Sequence, residues 1–199
     1  NNDIYVLGWS RDGKIAFINN VSVDGRGGHD LLFTIQDLKK DKIVCTKNIS
    51  WYDECEESQE KPLTLEQCMI NNSKEFDREL KKNKIILKPV EVKQLPASDK
   101  DNNQISFKIS NVKKYSGEYG FNYMDYEIHA EKKDEYKILG KIKGKISECV
   151  VPAAYLKSPY EDRIALIVAS AEFVFEGEEV FVNFYGCDLN KGFIKNKNK

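Results

Sequence analysis

The segment Arg163–Ser170 constrains the fold more than any other. Along it Ile164, Leu166 and Val168 alternate with Ala165, Ile167 and Ala169, so a strand built from these residues is apolar on both faces. Such a strand is stable between neighbours on both edges and with cover on its faces, which predicts a central strand in a layered β domain. The chain has 199 residues, 41% of them hydrophobic, enough for a real core and too many for a disordered tail.

The N-terminal part supplies four short strands, Ile4–Trp9, Lys14–Asn19, Leu31–Gln36 and Lys42–Thr46. Asp12-Gly13 between the first two is a tight-hairpin signal, because glycine accepts the positive φ such turns demand. Leu38–Asp41 reads as a second, polar turn, and four strands in so short a stretch read as an antiparallel meander. From Thr64 to Lys82 the period changes: Leu65, Met69, Phe76 and Leu80 form one stripe of a helix, Thr64 and Gln67 are spaced as a capping box, and Lys81, Lys82 and Lys84 suit its C-terminal end. The acidic stretch Tyr52–Lys61 before it reads as an exposed loop. Strand signals return over Ile85–Val92, Ile105–Val112, Phe121–Ile128, Tyr136–Ile142 and Val180–Tyr185. The expectation is therefore a mainly β domain over 1–190, with a helical insertion at about 63–83 and a disordered basic tail over 191–199.

Tyr5–Ile18, with its Ser-x-Asp-Gly-Lys turn, and Leu32–Leu38, ending Asp37-Leu38, resemble the hairpins of bacterial periplasmic β-propeller repeats, the Tol-associated and WD-like kind. This hairpin, together with Asp24-Gly-x-Gly27 and Ser158–Ile167 leading to Phe175–Gly177, is similar to a family of predicted secreted bacterial proteins of unknown function. The resemblance implies export and a secreted or periplasmic location, with the signal peptide removed before Asn1. It transfers no catalytic residue. The segments Asp12–Ile18 and Asp162–Ile167 echo each other as one turn-to-strand entry, a faint sign of a repeat. A blade needs about 40 to 45 residues, so a closed propeller does not fit the length. Antiparallel sheets with one amphipathic helix remain, arranged as a sandwich, an open barrel or partial-propeller-like meanders.

Charge and cysteine content exclude some functions and leave others open. Lysines and arginines number 31 against 32 acids, for a net charge of -1, and basic runs such as Lys39-Lys40 and Lys113-Lys114 are interleaved with acids, so no field draws the chain to nucleic acid. The run Ile164–Ala171 is far short of the roughly 18 to 20 residues of a membrane helix, so no transmembrane segment is expected. Five cysteines cannot all pair within one chain. Cys45, Cys55 and Cys68 are close enough in sequence for one bridge in an oxidising compartment, whereas Cys149 and Cys187, in apolar strand contexts, read as small buried hydrophobes.

The loop Asp24–Asp30 has the most unusual composition. Its glycines let backbone N–H groups converge on an anion beside Arg26 and His29, and Asp24 and Asp30 offer oxygens to calcium; the other reading is a long hairpin connection with solvated polar residues. Trp51-Tyr52 is either an aromatic binding platform or packing, and Trp9, at a strand end, reads as a core anchor. Tyr115, Tyr119, Phe121, Tyr123 and Tyr126 line a groove or pack across a sheet face. Asp125 and Glu127 share a strand face with Tyr123, suited to acid/base work or to simple solvation. No nucleophile elbow, zinc-protease, dinucleotide or phosphate-loop motif occurs, no catalytic residue is assigned, and no cofactor is implied. The reading is a non-enzymatic extracytoplasmic domain that binds an envelope protein, peptide or glycan, with Asp24, Arg26, His29, Asp30, Trp51 and Tyr52 as candidate ligand contacts. The alternative is a hydrolase or metal-dependent enzyme using the Asp24–Asp30 loop.

Overall fold

Pairing follows the turn chemistry. Gly13 adopts φ 92° and its N–H donates to the Ser10 carbonyl, closing the hairpin that Asp12-Gly13 foretells. The computed structural model describes residues 3–22, 29–50, 65–117, 121–174 and 177–195. They form three antiparallel sheets, consistent with a β sandwich, and neither barrel closure nor a blade ring is present among them. Where the sequence reads as one domain over 1–190, contacts gather into two compact units: Asn1–Asp37 with Asp41–Val90, and Leu38–Lys40 with Glu91–Lys199.

The first unit holds β1 (Asp3–Ser10), β2 (Lys14–Ser22), β3 (His29–Asp37), β4 (Lys42–Ser50), α1 (Leu65–Asn71), α2 (Ser73–Lys82) and β5 (Ile85–Leu87). Its sheet runs β4-β3-β2-β1-β5. Alternation sends Ala16, Ile18, Leu31, Phe33 and Ile35 to one face, where Phe76 and Leu80 of α2 pack on them; the Phe33 and Phe76 rings stack at 4.7 Å. Each of the larger side chains among them contributes about 1.5–3 kcal/mol on leaving water. Trp9 is 1% exposed, as a core anchor should be. The expected single helix is two, because Asn71-Asn72-Ser73 favours caps and turns over helix interior: the Ser73 hydroxyl donates to the Ile70 carbonyl, and the Asn72 carbonyl starts α2. Met69 and Phe76 nonetheless reach the same core.

The second unit holds β6 (Val92–Gln94), β7 (Ala97–Ser98), β8 (Gln104–Ser116), β9 (Asn122–Lys132), β10 (Glu135–Ile146), β11 (Cys149–Lys157), β12 (Arg163–Val174), β13 (Gly177–Asp188) and β14 (Ile194–Lys195). One sheet runs β14-β10-β9-β8-β7 and the other β13-β12-β11-β6. Met124, Tyr126, Ile128 and Ala130 of β9 share one core with Ile164, Leu166 and Val168 of β12. β12 is central in its sheet, as its two apolar faces require. The β7–β8 turn is fixed by Asp99, whose carboxylate accepts the N–H groups of Asp101 and Asn103 at 2.9 and 2.8 Å and the Lys132 ammonium at 2.6 Å.

Three stretches depart from expectation. Ile85–Val92 is not one strand: Pro89 removes an N–H, and β5 and β6 on either side of it join different sheets. β11 forms although Pro152 interrupts its pattern, because a bulge between Pro152 and Ala154 absorbs the lost donor. Ile194 and Lys195, placed in the tail by sequence, pair with Tyr136 and Glu135. Cys187 is fully buried, but Cys149 is exposed, since its position on β11 puts it on the outer face of the sheet beside Ala171. Cys45 is half-buried, and Cys45, Cys149 and Cys187 are all free thiols.

These packings predict two measurable effects. A Cβ on Gly186 would sit 1.7 Å from the Leu38 carbonyl oxygen, so Gly186→Ala should cost about 1–3 kcal/mol in urea unfolding, while Leu166→Ala should cost about 2–5 kcal/mol. In native thiol labelling, Cys149 should react at once and Cys187 only on unfolding, with Cys45 slow because burial, and then Glu79, push its thiol pKa up.

Candidate functional site

Because β9 buries its even-numbered side chains, Tyr123, Asp125, Glu127, His129 and Glu131 form a row on the outer face. Cross-strand neighbours complete it. Lys141 of β10 pairs in register with Glu127, and its ammonium lies 2.6 Å from Glu127 Oε1. Glu127 Oε2 accepts from Asn111 Nδ2 at 2.7 Å and lies 2.9 Å from His129 Nε2. The His129 ring stacks against Tyr136 at 5.8 Å.

Two backbone irregularities aim these groups. Asn111 sits at φ 54° in the β8 bulge between Ser110 and Lys113, a conformation its short amide tolerates. Gly144, at φ 62° in the β10 bulge between Ile142 and Lys145, turns its N–H to Asp125 Oδ1 at 2.9 Å. The Tyr115 hydroxyl donates to the same oxygen at 3.1 Å, and the Tyr115 ring stacks on Tyr123 at 5.9 Å. Tyr115 remains 44% exposed. The expected tyrosine cluster thus divides between faces: Tyr115 and Tyr123 pair outside while Tyr126 is buried in the core, and Tyr119 lies outside the described residues.

The electrostatics are those of fixed charges. The Lys141 ammonium, then His129 and Asn111, hold Glu127 down at a pKa of about 2. The Gly144 N–H, then the Tyr115 hydroxyl, lower that of Asp125, and desolvation with the neighbouring Asp125 raises that of Tyr115. A general acid or base works best with a pKa near the operating pH, and Glu127 is a permanent anion there. The face offers ionic groups in set positions, a hydroxyl and an exposed aromatic ring.

Of the residues singled out from sequence, Asp30 lies on β3, where Asn48 Nδ2 donates to it at 3.4 Å. The backbone of His29 pairs with Ser22 at the start of β3. Asp24, Arg26, Trp51, Tyr52 and the His29 side chain lie outside the described residues. Asn111, Lys141, His129 and Gly144 were not singled out; an isolated glycine in a strand pattern at Gly144 was the readable sign of a bulge. Among the described residues no three His, Cys, Asp or Glu side chains converge as a metal set, and no helix is long and apolar enough to cross a membrane. Comparison with family models, with curated proteins and with solved structures finds no match for this chain.

The carboxylate pairings make stability pH-dependent. Glu127 has an ordinary value of 4.5 when unfolded and about 2 when folded, so its contribution is complete above pH 4.5 and fades as the pH falls towards 2. Thermal unfolding across pH 2 to 6 should show this acid limb, and Glu127→Gln should flatten it.

Proposed function

We propose that the chain is a non-enzymatic, extracytoplasmic binding domain that recognises an envelope protein, peptide or glycan on the outer face of β8, β9 and β10. The observation that carries this reading is the saturation of Glu127 by Lys141, Asn111 and His129. A carboxylate so held exchanges no proton near neutral pH, but it costs little to present to a ligand, since its geometry is set before binding. The exposed Tyr115 ring, stacked on Tyr123 in the same row and bonded to Asp125, supplies the apolar, rigid surface that sugars and peptide side chains stack on. Location outside the cytoplasm rests on the resemblance of Tyr5–Ile18 and Ser158–Ile167 to predicted secreted bacterial proteins, which also leaves the activity open.

Arrays of envelope glycan fragments and of peptides, probed with the protein and with Tyr115→Ala, test the reading. Retention of a defined ligand that weakens about 10-fold in Tyr115→Ala, at unchanged melting temperature, is the expected result. Ligands held equally by both proteins, or turnover of an array compound by the wild type, would overturn it.

A further inference from the structure

A second site lies in the first unit and stands independently of the β9 row. Where the β1–β2 turn meets the connection from α2 to β5, Arg11, Asp12, Lys81, Lys84, Ile85 and Ile86 line a pocket of about 600 Å³, within the size range of pockets that hold small ligand groups. Its charge is lopsided. Asp12 is the one carboxylate among these residues, and it is already engaged by Lys14 and by the Ser10 hydroxyl, which lower its pKa. Lys81 and Lys84 have no ion pair among the described residues, so they give the wall a positive potential.

The floor has a different character. Ile85 is turned into the core, but Ile86 is 42% exposed and Leu87 62% exposed on the next positions of the same strand. β5 is also the last strand of its sheet: it pairs with β1 through Ile85, Ile86 and Leu87, and no described strand pairs with its other edge. A cationic wall and an apolar floor therefore meet at one place, on a strand whose other edge pairs with no described strand. A lone phosphate would use the first only, and a fatty acid the first two.

Lys84 adds an argument from backbone conformation. It follows Asn83, the residue that caps α2, and adopts φ 57°, the position at which helices commonly place glycine. A lysine there is the more strained choice, and its side chain lines the pocket.

We propose that this pocket binds the free C-terminus of an extended polypeptide whose last side chain is apolar. The terminal carboxylate accepts charge-assisted hydrogen bonds from Lys81 and Lys84, the last side chain rests on Ile86, and the main chain adds to the edge of β5. Recognition by an added strand draws affinity from the backbone and specificity from the end group, so sequence preference should be confined to the last one or two residues.

The test is selection from a random heptapeptide library displayed with free C-termini, followed by titration of the enriched peptide as free acid and as C-terminal amide. Enrichment of apolar last residues, with the amide at least about 10-fold weaker and the acid's affinity falling with salt, is the expected result. Lys84→Gly separates binding from folding: glycine suits φ 57°, so the melting temperature should hold or rise while peptide affinity falls about 10-fold, and Lys81→Gln should act likewise on affinity. No enrichment, equal binding of acid and amide, or variants that bind as the wild type does would each overturn the proposal. So would binding of decanoate in competition with nothing from the library.

Discussion

Burial of Ile164, Leu166 and Val168 between two sheets sets the register on which the second unit depends. Side chains alternate with a period of two, so once Met124, Tyr126, Ile128 and Ala130 face that layer, Tyr123, Asp125, Glu127, His129 and Glu131 must face out. A slip of one residue in β9 would drive Glu127 into the core and leave Ile128 in water, at a cost no other contact offsets. The candidate face is thus a geometric consequence of the core. The bulges at Asn111 and Gly144 then make local corrections, each turning one donor towards a carboxylate the register has already placed.

The same physics explains what could be read from sequence. Alternation and turn chemistry located β1 to β4 and β12, because glycine at Gly13 and two-faced hydrophobicity in Ile164–Ala169 have few other structural outcomes. Proline misled in both directions: Pro89 splits an apolar run into β5 and β6, and Pro152 disguises β11, whose bulge accommodates it. The face itself was half legible. Tyr123, Asp125 and Glu127 fall together by counting along one strand, but Lys141, Asn111 and Tyr115 come from other strands, and their registers depend on bulges that no pattern in Ser110–Lys113 announces.

Electrostatics in this chain work by local pairing. With 32% of residues charged and a net charge of -1, long-range fields largely cancel, and each carboxylate's behaviour is decided by its nearest donors. Asp12, Asp99, Asp125 and Glu127 are all held below their ordinary values by a lysine, an amide or a backbone N–H within hydrogen-bond reach. A group with this many donors is ordered and ionised, which serves turn closure at Asp99 and recognition at Glu127 equally well. The two roles differ in exposure: the Asp99 side chain is shut off from water, whereas the Lys141 partner of Glu127 is largely exposed.

The outer face of the β11–β12–β13 sheet shows where apolar patterning and burial part company. Ala165 pairs with Gly186 and Leu156, all of them buried, and the Leu38 backbone approaches Gly186 too closely for any side chain there. Two register steps along, Ala169 pairs with Val151 and Val182, and beyond it Ala171 pairs with Cys149 and Val180, where Val151 and Val180 are about half exposed. Periodicity treats these positions alike, since it registers only that each is apolar. Alanine at three outward positions, Ala165, Ala169 and Ala171, with a partly buried Ile167 between them, distinguishes that row from the inward one: a methyl group left partly in water forfeits far less than a leucine would, so the strand keeps its ladder without a second buried layer along its whole length. Two apolar faces thus require a central strand, but full cover falls on the inward row, where Ile164, Leu166 and Val168 are buried, and not along the whole outward one.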